Sequence, residues 1–556
     1  MKFRFAQVLL VVAALVGLNG LASFVFFRAD LTEEKRYSLS EATERLLVNL
    51  DEEVAVTVYL DGELPAGFQR LQTAIRETLD EMQAVAGGNL SYRFIDPTTS
   101  ATDPKRRSEF YQQLAEKGIP PTNVIEGSED SRRERLIFPG AVLTYKNREV
   151  PVLLLKGNIA RSPQENLNLS YENVEFQLAT ALRELTQNSK KKIGLLTNYT
   201  RVPAGRLADL IVSLQRNYDV YQLNLTNSPT LDGQGLDAVM LVKPDTAFND
   251  ADKYKLDQFI VKGGRALFFI DALKIDSVGR EGTYAYPAQL NLDDLLFNYG
   301  VRLNVNIVKD LLCAQIPLNV GNLGDKPQVQ LMPWRYFPLL NSFGNSPIVR
   351  NLDAVYCRFA GTLDTVRANG ITKTPLLLTS RYTQLMKAPA LVTYNDARQQ
   401  PDPRDYQAGP KLIACLLEGS FESLYKNQVL PGDPRANDFR ATGEPSKILV
   451  CSDGDLPLND FDFKRNVPLP LGFDRFSADR HIFSNKEFIL NAVDYLIDEN
   501  GVITARNKEV RLRPLDALQL RENRAFWQSL NLAAPLLIIA LLAVVWQVVR
   551  RGRFAR

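Results

Sequence analysis

The densest group of chemically capable side chains is the run SDGDLPLNDFDF, which carries Asp453, Asp455, Asp460 and Asp462. Carboxylates at this alternating spacing suit a hard cation such as Ca²⁺, which takes about six to eight oxygen ligands. The run follows the strand-like SKILVC, and ligands of open α/β sheets gather outside the carboxyl ends of strands. A plain polar loop of turn-forming Asp and Gly is the commoner origin of such a pattern. These four aspartates are therefore a candidate ligand loop, and Asp271, closing RALFFID, occupies the same kind of place.

Other chemistry is sparse. One histidine, His481, serves the whole chain, which removes most imidazole metal sites and leaves any Ser–His–Asp triad dependent on a single residue. Cys313, Cys357, Cys415 and Cys451 lie far apart without a CxxC pair, so no zinc or redox motif is present. Their even number permits disulfides outside the cytoplasm, whereas Cys415 in KLIACLL and Cys451 in KILVCSD sit in strand-like runs that equally suit buried free thiols. There is no GxxxxGK[ST] phosphate loop, no GxGxxG after a strand and no HExxH. The expectation is no catalytic residue, no cofactor and no resident metal, with any ATP hydrolysis performed by a separate subunit. A net charge of +2, from 66 basic and 64 acidic residues, argues against a nucleic-acid partner.

The elements that hold these residues lie between two uncharged apolar runs, 5–27 and 530–549. Each is long enough to cross a hydrocarbon core of about 30 Å as a helix. Lys2 and Arg4 precede the first, and Arg550, Arg551, Arg553 and Arg556 follow the second. Basic flanks place residues 1–4 and 550–556 in the cytoplasm. The bulk of the chain is then periplasmic, on a bacterial inner membrane. Ala13, Gly17 and Gly20 offer the first span a face for close helix packing.

Between the spans the spacing predicts an N-terminal α/β domain over 28–160, a central α/β domain over 161–303, and a β-rich insertion over 304–445. Return strands and a helix over 446–513 complete the central domain, and a stalk over 514–529 leads to the second span. Ser38 and Glu41 match a capping box. VAVTVYL, the helix pattern 67–86 and LSYRFID read as a β-α-β unit with parallel strands. From Lys191 onward, buried strand runs alternate with amphipathic helices, which predicts a doubly wound parallel sheet. NKEFILNAVDYL reads as a helix over Asn485–Leu496, and VITARNKEVRLRPLD as closing strands.

TEEKRYSLSEATERLL after a first span, then VAVTVYLDGELPAGFQRL, resembles the gliding-motility-associated ABC transporter auxiliary family typified by GldG. FNDADKYKLDQFIVKGGRALFFIDAL, and the late order SDGD, LPLGFD, SNKEFILNAVDYL, GVITARNKEVRLRPLD before a last span, extend the likeness over nearly the whole chain. The resemblance implies an accessory, substrate-binding subunit of an ABC-2-type transporter, partnered by a polytopic permease and a cytoplasmic ATPase. It also implies a glutamine-amidotransferase-like central fold, related to a module of intraflagellar transport proteins. Enzymes of that fold use a Cys nucleophile on a strand-to-helix elbow with a His partner. No such Cys follows the strands at Lys191 and Arg265. Two alternatives stand beside the subunit: a structural linker of the cell envelope, and a tethered amidotransferase-like hydrolase dependent on His481 or Cys451.

Overall fold

The computed structural model describes residues 38–554 except 100–102, 127–132, 157–161, 188, 229, 276, 324–325, 429–437, 463, 477–480, 499–500 and 508–523. The expected first span over 5–27, with Ala13, Gly17 and Gly20, lies outside the described residues, as does 514–523 of the expected stalk. The chain parts into two units between Lys508 and Glu509.

The larger unit opens with helix α1 (Glu41–Val48). Ser40, not Ser38, caps it, its Oγ accepting from the Thr43 N–H at 3.3 Å. The reciprocal half of a capping box is replaced by a distant residue. Glu175 Oε1 accepts the Ser40 N–H at 2.7 Å, so no glutamate within the helix is needed there. Strand β1 (Val54–Val58), helix α2 (Ala66–Ala86) and strand β2 (Leu90–Phe94) form a unit whose two strands pair in parallel. Gly87, at φ +61°, ends α2 in the left-handed conformation that glycine adopts without strain. Strands β3 (Gly140–Tyr145) and β4 (Arg148–Leu153) complete the sheet order β2-β1-β3-β4. The run Arg135–Tyr145, which reads as one strand, is divided at Pro139. Arg133–Ile137 pairs elsewhere, with Thr122–Glu126, because proline has no N–H to continue the ladder. Helix α3 (Pro163–Thr186) packs Val174, Leu178 and Leu182 into the same core as Leu71, Ile75 and Leu79 of α2.

The second sheet has ten strands. Its elements in chain order are β5 (Lys191–Leu196), α4 (Ala208–Gln215), β6 (Tyr218–Leu223), β7 (Ala238–Val242), α5 (Asp250–Val261), β8 (Arg265–Phe269) and α6 (Asp293–Tyr299). After them come β9 (Val301–Asn304), β10 (Thr362–Thr365), β11 (Ile371–Leu378), β12 (Leu412–Glu422), β13 (Thr442–Cys451) and α7 (Asn485–Ile497). The main order is β9-β10-β12-β13-β8-β7-β5-β6, with β11 also paired to β12 and to the tenth strand, the short Ser342–Phe343. From β6 to β13 all pairings are parallel, and beyond β13 they turn antiparallel. The central parallel strands β7 and β8 are apolar and buried, save Arg265 at the start of β8, because both faces are covered, whereas the edge strand β6 (YDVYQL) is largely open to solvent. Along β8, Leu267 and Phe269 join Leu210 and Leu214 of α4 and Phe488 and Val493 of α7, while Ala266 and Phe268 join Leu256 and Phe259 of α5.

Between β9 and β10 the chain forms a long antiparallel hairpin, Cys313–Leu323 with Lys326–Leu340, whose Trp334 and Tyr336 are buried in a satellite core. Residues Val502–Asn507, expected as strand, form a turn of 3₁₀ helix instead. Val502, Ile503, Ala505 and Arg506 are buried, a spacing that fits a helical turn rather than the alternation of a strand.

The smaller unit is the helix Arg524–Phe554. It takes in the last six residues of the expected stalk, because Arg524–Ser529 carries no helix breaker. Its stretch Phe526–Arg551 is long and apolar enough to cross a membrane. Trp527 and Trp546 stand 19 residues apart, about 28 Å along a helix, which matches the two interfaces of a bilayer core.

Candidate functional site

The parallel strands bring their carboxyl ends to one edge of the sheet. Lys243 directly follows β7, Asp271 lies two residues beyond β8, and Asp453 and Asp455 follow β13. Strand pairing across β7, β8 and β13 therefore converts three distant sequence positions into one cluster. Carboxylate oxygens of Asp271, Asp453 and Asp455 lie within 4.8 Å of one another.

The cluster holds its own cation. Lys243 Nζ donates to Asp271 Oδ2 at 2.8 Å and to Asp455 Oδ2 at 2.6 Å. Lys243 has a left-handed φ of +46°, an uncommon conformation for a residue with a side chain, and its N–H is bonded to the Phe269 carbonyl at 2.9 Å. Gly454 allows the β13 loop to approach. A Cβ there would lie 3.0 Å from both Asp271 Oδ1 and Lys243 Cα, and the Gly454 N–H donates to that same Asp271 oxygen at 2.6 Å.

Asp453 is wholly buried. Its Oδ1 accepts from the Asp455 and Leu456 N–H groups at 2.8 and 3.1 Å, and its Oδ2 from the Arg358 N–H at 2.7 Å. Burial, then the charges of Asp455 and Asp271, push its carboxyl up to about 7, against the pull of those donors. Burial likewise raises Asp271 to about 6, and the Lys243 ammonium limits the rise. Lys243 itself stays charged: burial disfavours its ammonium, and Asp271 and Asp455 outweigh that effect.

Asp460 belongs to a neighbouring pair. Arg358 grips it with two parallel bonds, Nη1 to Oδ1 at 3.0 Å and Nη2 to Oδ2 at 2.8 Å, and Arg206 Nη2 stands 3.8 Å from Oδ1. Burial alone would raise the Asp460 carboxyl, but Arg358 holds it below the usual range. Asp462 stands apart from both groups. It closes its own turn, accepting from the N–H groups of Lys464 and Arg465 at 2.9 and 3.2 Å. Of the four aspartates marked in the sequence, two share the cluster with Asp271, one is clamped beside it, and one is a turn former. Sequence reasoning passed over Lys243 and Arg358. A signal existed for the first, a lone Lys-Pro ending the apolar run LDAVMLV.

Chemically, the ammonium stands where a bound cation would. Three carboxylates fall short of the oxygen count Ca²⁺ takes, and a metal here must first displace Lys243. No shallow nucleophile adjoins the cluster among the described residues. Cys357, which hydrogen-bonds Asp453, and Cys451 are wholly buried, and burial drives both thiols well above their ordinary value. All four cysteines are free. Cys415 and Cys451 lie on paired strands, but the register sets Cys451 opposite Ala414, so the two side chains enter opposite layers. His481 contacts Asp353, Nε2 to Oδ2 at 2.9 Å, and stacks edge-on against Phe483.

Comparison with known proteins agrees with an auxiliary role. A family model described as an ABC-type uncharacterized transport system matches residues 190–492, and a domain of unknown function matches 33–144. An uncharacterized protein of Borreliella burgdorferi is 22% identical over 442 residues, which is 77% of this chain and 81% of its own. The solved mmIFT52 N-terminal domain overlaps 55% of this chain and 96% of its own at 14% identity, with a TM-score of 0.31. Because the first of these models spans more than half of its 556 residues, the chain belongs to the ABC-type uncharacterized transport system auxiliary family.

Proposed function

We propose that this chain is a non-catalytic, membrane-anchored accessory subunit of an ABC-2-type transporter, of the gliding-motility-associated GldG kind. In this reading, helices 5–27 and 530–549 pack on a polytopic permease in the bacterial inner membrane, and a cytoplasmic ATPase supplies the energy. Residues 28–529 stand in the periplasm, divided at 160, 303 and 445, with both termini cytoplasmic. The second sheet is a doubly wound, amidotransferase-like platform that meets substrate or an envelope component.

The observation that carries this reading is the presence, in one chain, of the transport-auxiliary domain and an exposed apolar helix of 26 residues. Two further features support the non-catalytic part. The acidic cluster is charge-compensated by the chain's own Lys243, and Cys451 is a buried, protonated thiol rather than an activated nucleophile. Purification in mild detergent tests the proposal. A permease and an ATPase should copurify in fixed ratio, and a chain that elutes alone at native expression level refutes it. Hydrolase activity abolished by His481→Ala or Cys451→Ala would overturn the non-catalytic part specifically.

A further inference from the structure

The described residues of the larger unit begin and end against one helix. Glu175 of α3 holds its beginning, accepting from the Ser40 N–H at 2.7 Å and the Thr43 hydroxyl at 2.9 Å. The next residue, Phe176, lies under its end: Ile503 and Ala505 pack with it in one small core, and the Arg506 guanidinium lies 4.9 Å over its ring. The 3₁₀ turn Val502–Asn507 thus rests on α3, with α1 and α7 also against it.

Two opposed forces act on this turn. Val502, Ile503 and Ala505 are almost fully buried, which retains it. Arg506 works against them. Its side chain is sealed from solvent, yet Nε, Nη1 and Nη2 make no hydrogen bond among the described residues. Among the described residues its nearest carboxylate, Glu487 Oε1, is 3.5 Å away and already takes the Lys156 ammonium at 2.8 Å, and Asp494 adds only a longer-range attraction. Buried N–H donors without acceptors are strongly disfavoured, more so on a charged group, and every one of them recovers its hydration when the turn lifts. A buried apolar side chain of similar length at this position would hold the turn more tightly.

We propose that Val502–Asn507 is a detachable strap that opens without unfolding the sheet beneath it. The chain leaves this strap for the Arg524–Phe554 helix after 16 residues, 508–523. In sequence the strap is the last described element before that helix, so a pull along the chain acts on it, and its release uncovers Phe176 beside the Glu175 clasp on α1. The role of such a pull rests on the transporter-subunit reading; the strap's independent opening does not.

Hydrogen–deuterium exchange on the full chain in detergent tests it. Amides of 502–507 should exchange at least about tenfold faster than those of α7. Arg506→Met should slow exchange at 502–507 by about tenfold or more, leaving α7 unchanged. Equal protection of strap and α7 in the wild type, or faster strap exchange in Arg506→Met, overturns the proposal. Ile503→Ala gives a second arm that leaves the charge in place. It should speed exchange at 502–507 alone, and a parallel loss of protection in α7 would refute an independent strap. Copurification of a permease is read separately, so failure of the strap leaves the subunit reading standing, and the reverse also holds.

Discussion

Replacing Lys243 by methionine removes one positive charge while keeping most of the side-chain volume. The ammonium makes two contacts, 2.8 Å to Asp271 and 2.6 Å to Asp455. At an effective dielectric near 20, each is a gross attraction of about 6 kcal/mol, most of it offset by the desolvation of the three charges. Removing one partner from a buried pair leaves that desolvation uncompensated and costs about 3–5 kcal/mol. At about 2 °C per kcal/mol for a unit this large, Lys243→Met should melt roughly 6–10 °C lower at pH 8. The loss should depend on pH with a definite sign. Asp271 and Asp453 have folded values of about 6 and about 7, above the ordinary carboxyl range. Groups raised in this way contribute stability that is present at low pH and lost as pH rises through 6 to 7. Without the ammonium, the Asp271 carboxyl moves higher still, so the variant regains stability on protonation. The gap between variant and wild type should narrow by at least about half between pH 8 and pH 5. Thermal unfolding followed by intrinsic fluorescence at both pH values, with Asp271→Asn in the Lys243→Met background as a partial rescue, measures this. A gap under about 1 kcal/mol at pH 8, or one as wide at pH 5 as at pH 8, refutes the reasoning.

Three further outcomes are expected. Added Ca²⁺ at millimolar concentration should leave wild-type melting unchanged, because the Lys243 ammonium already bridges the carboxylates; a clear rise would point to metal uptake. In the folded chain, Cys357, Cys415 and Cys451 should resist alkylation at pH 8, since all three are buried and burial raises each thiol, Cys415 to about 12. Intact mass after iodoacetamide should then show at most the single adduct of the part-exposed Cys313. Phe488→Ala, at a fully buried position where α7 meets the sheet, should cost about 3–5 kcal/mol by chemical denaturation.

Local patterns with strong punctuation were readable in the sequence. The helix expected over Asn485–Leu496 runs Asn485–Ile497, since an apolar stripe on one side fixes a helix whatever lies around it. Likewise the helix pattern 67–86 matches α2, which ends at Ala86, and the parallel pairing of β1 with β2 followed from the intervening helix. What failed depended on partners distant in sequence. Nothing near Ser40 announces that Glu175 will hold its N–H. VITARN has the composition of a strand, and only the groove formed by α1, α3 and α7 makes it a helical turn. The site was half legible for the same reason. Acidic residues after a strand can be seen in one segment, but Lys243 lies 210 residues before Asp453 and enters only through strand order. Arg358, which clamps Asp460 beside the cluster, comes from an irregular stretch between short strands, where no periodicity guides a reading.

The position of β13 governs how this protein can be made. It lies between β8 and β12, yet β8 ends at Phe269 and β13 begins at Thr442, 173 residues later. During synthesis at about 5–20 residues per second, β8 stands as a bare apolar edge for roughly 10–35 s. Contacts this distant in sequence form slowly, and an unpaired edge invites association with other nascent chains. Production of the larger unit should therefore depend on a holding chaperone, whereas a fragment ending before Lys191, whose sheet needs no late strand, should reach a folded state far sooner.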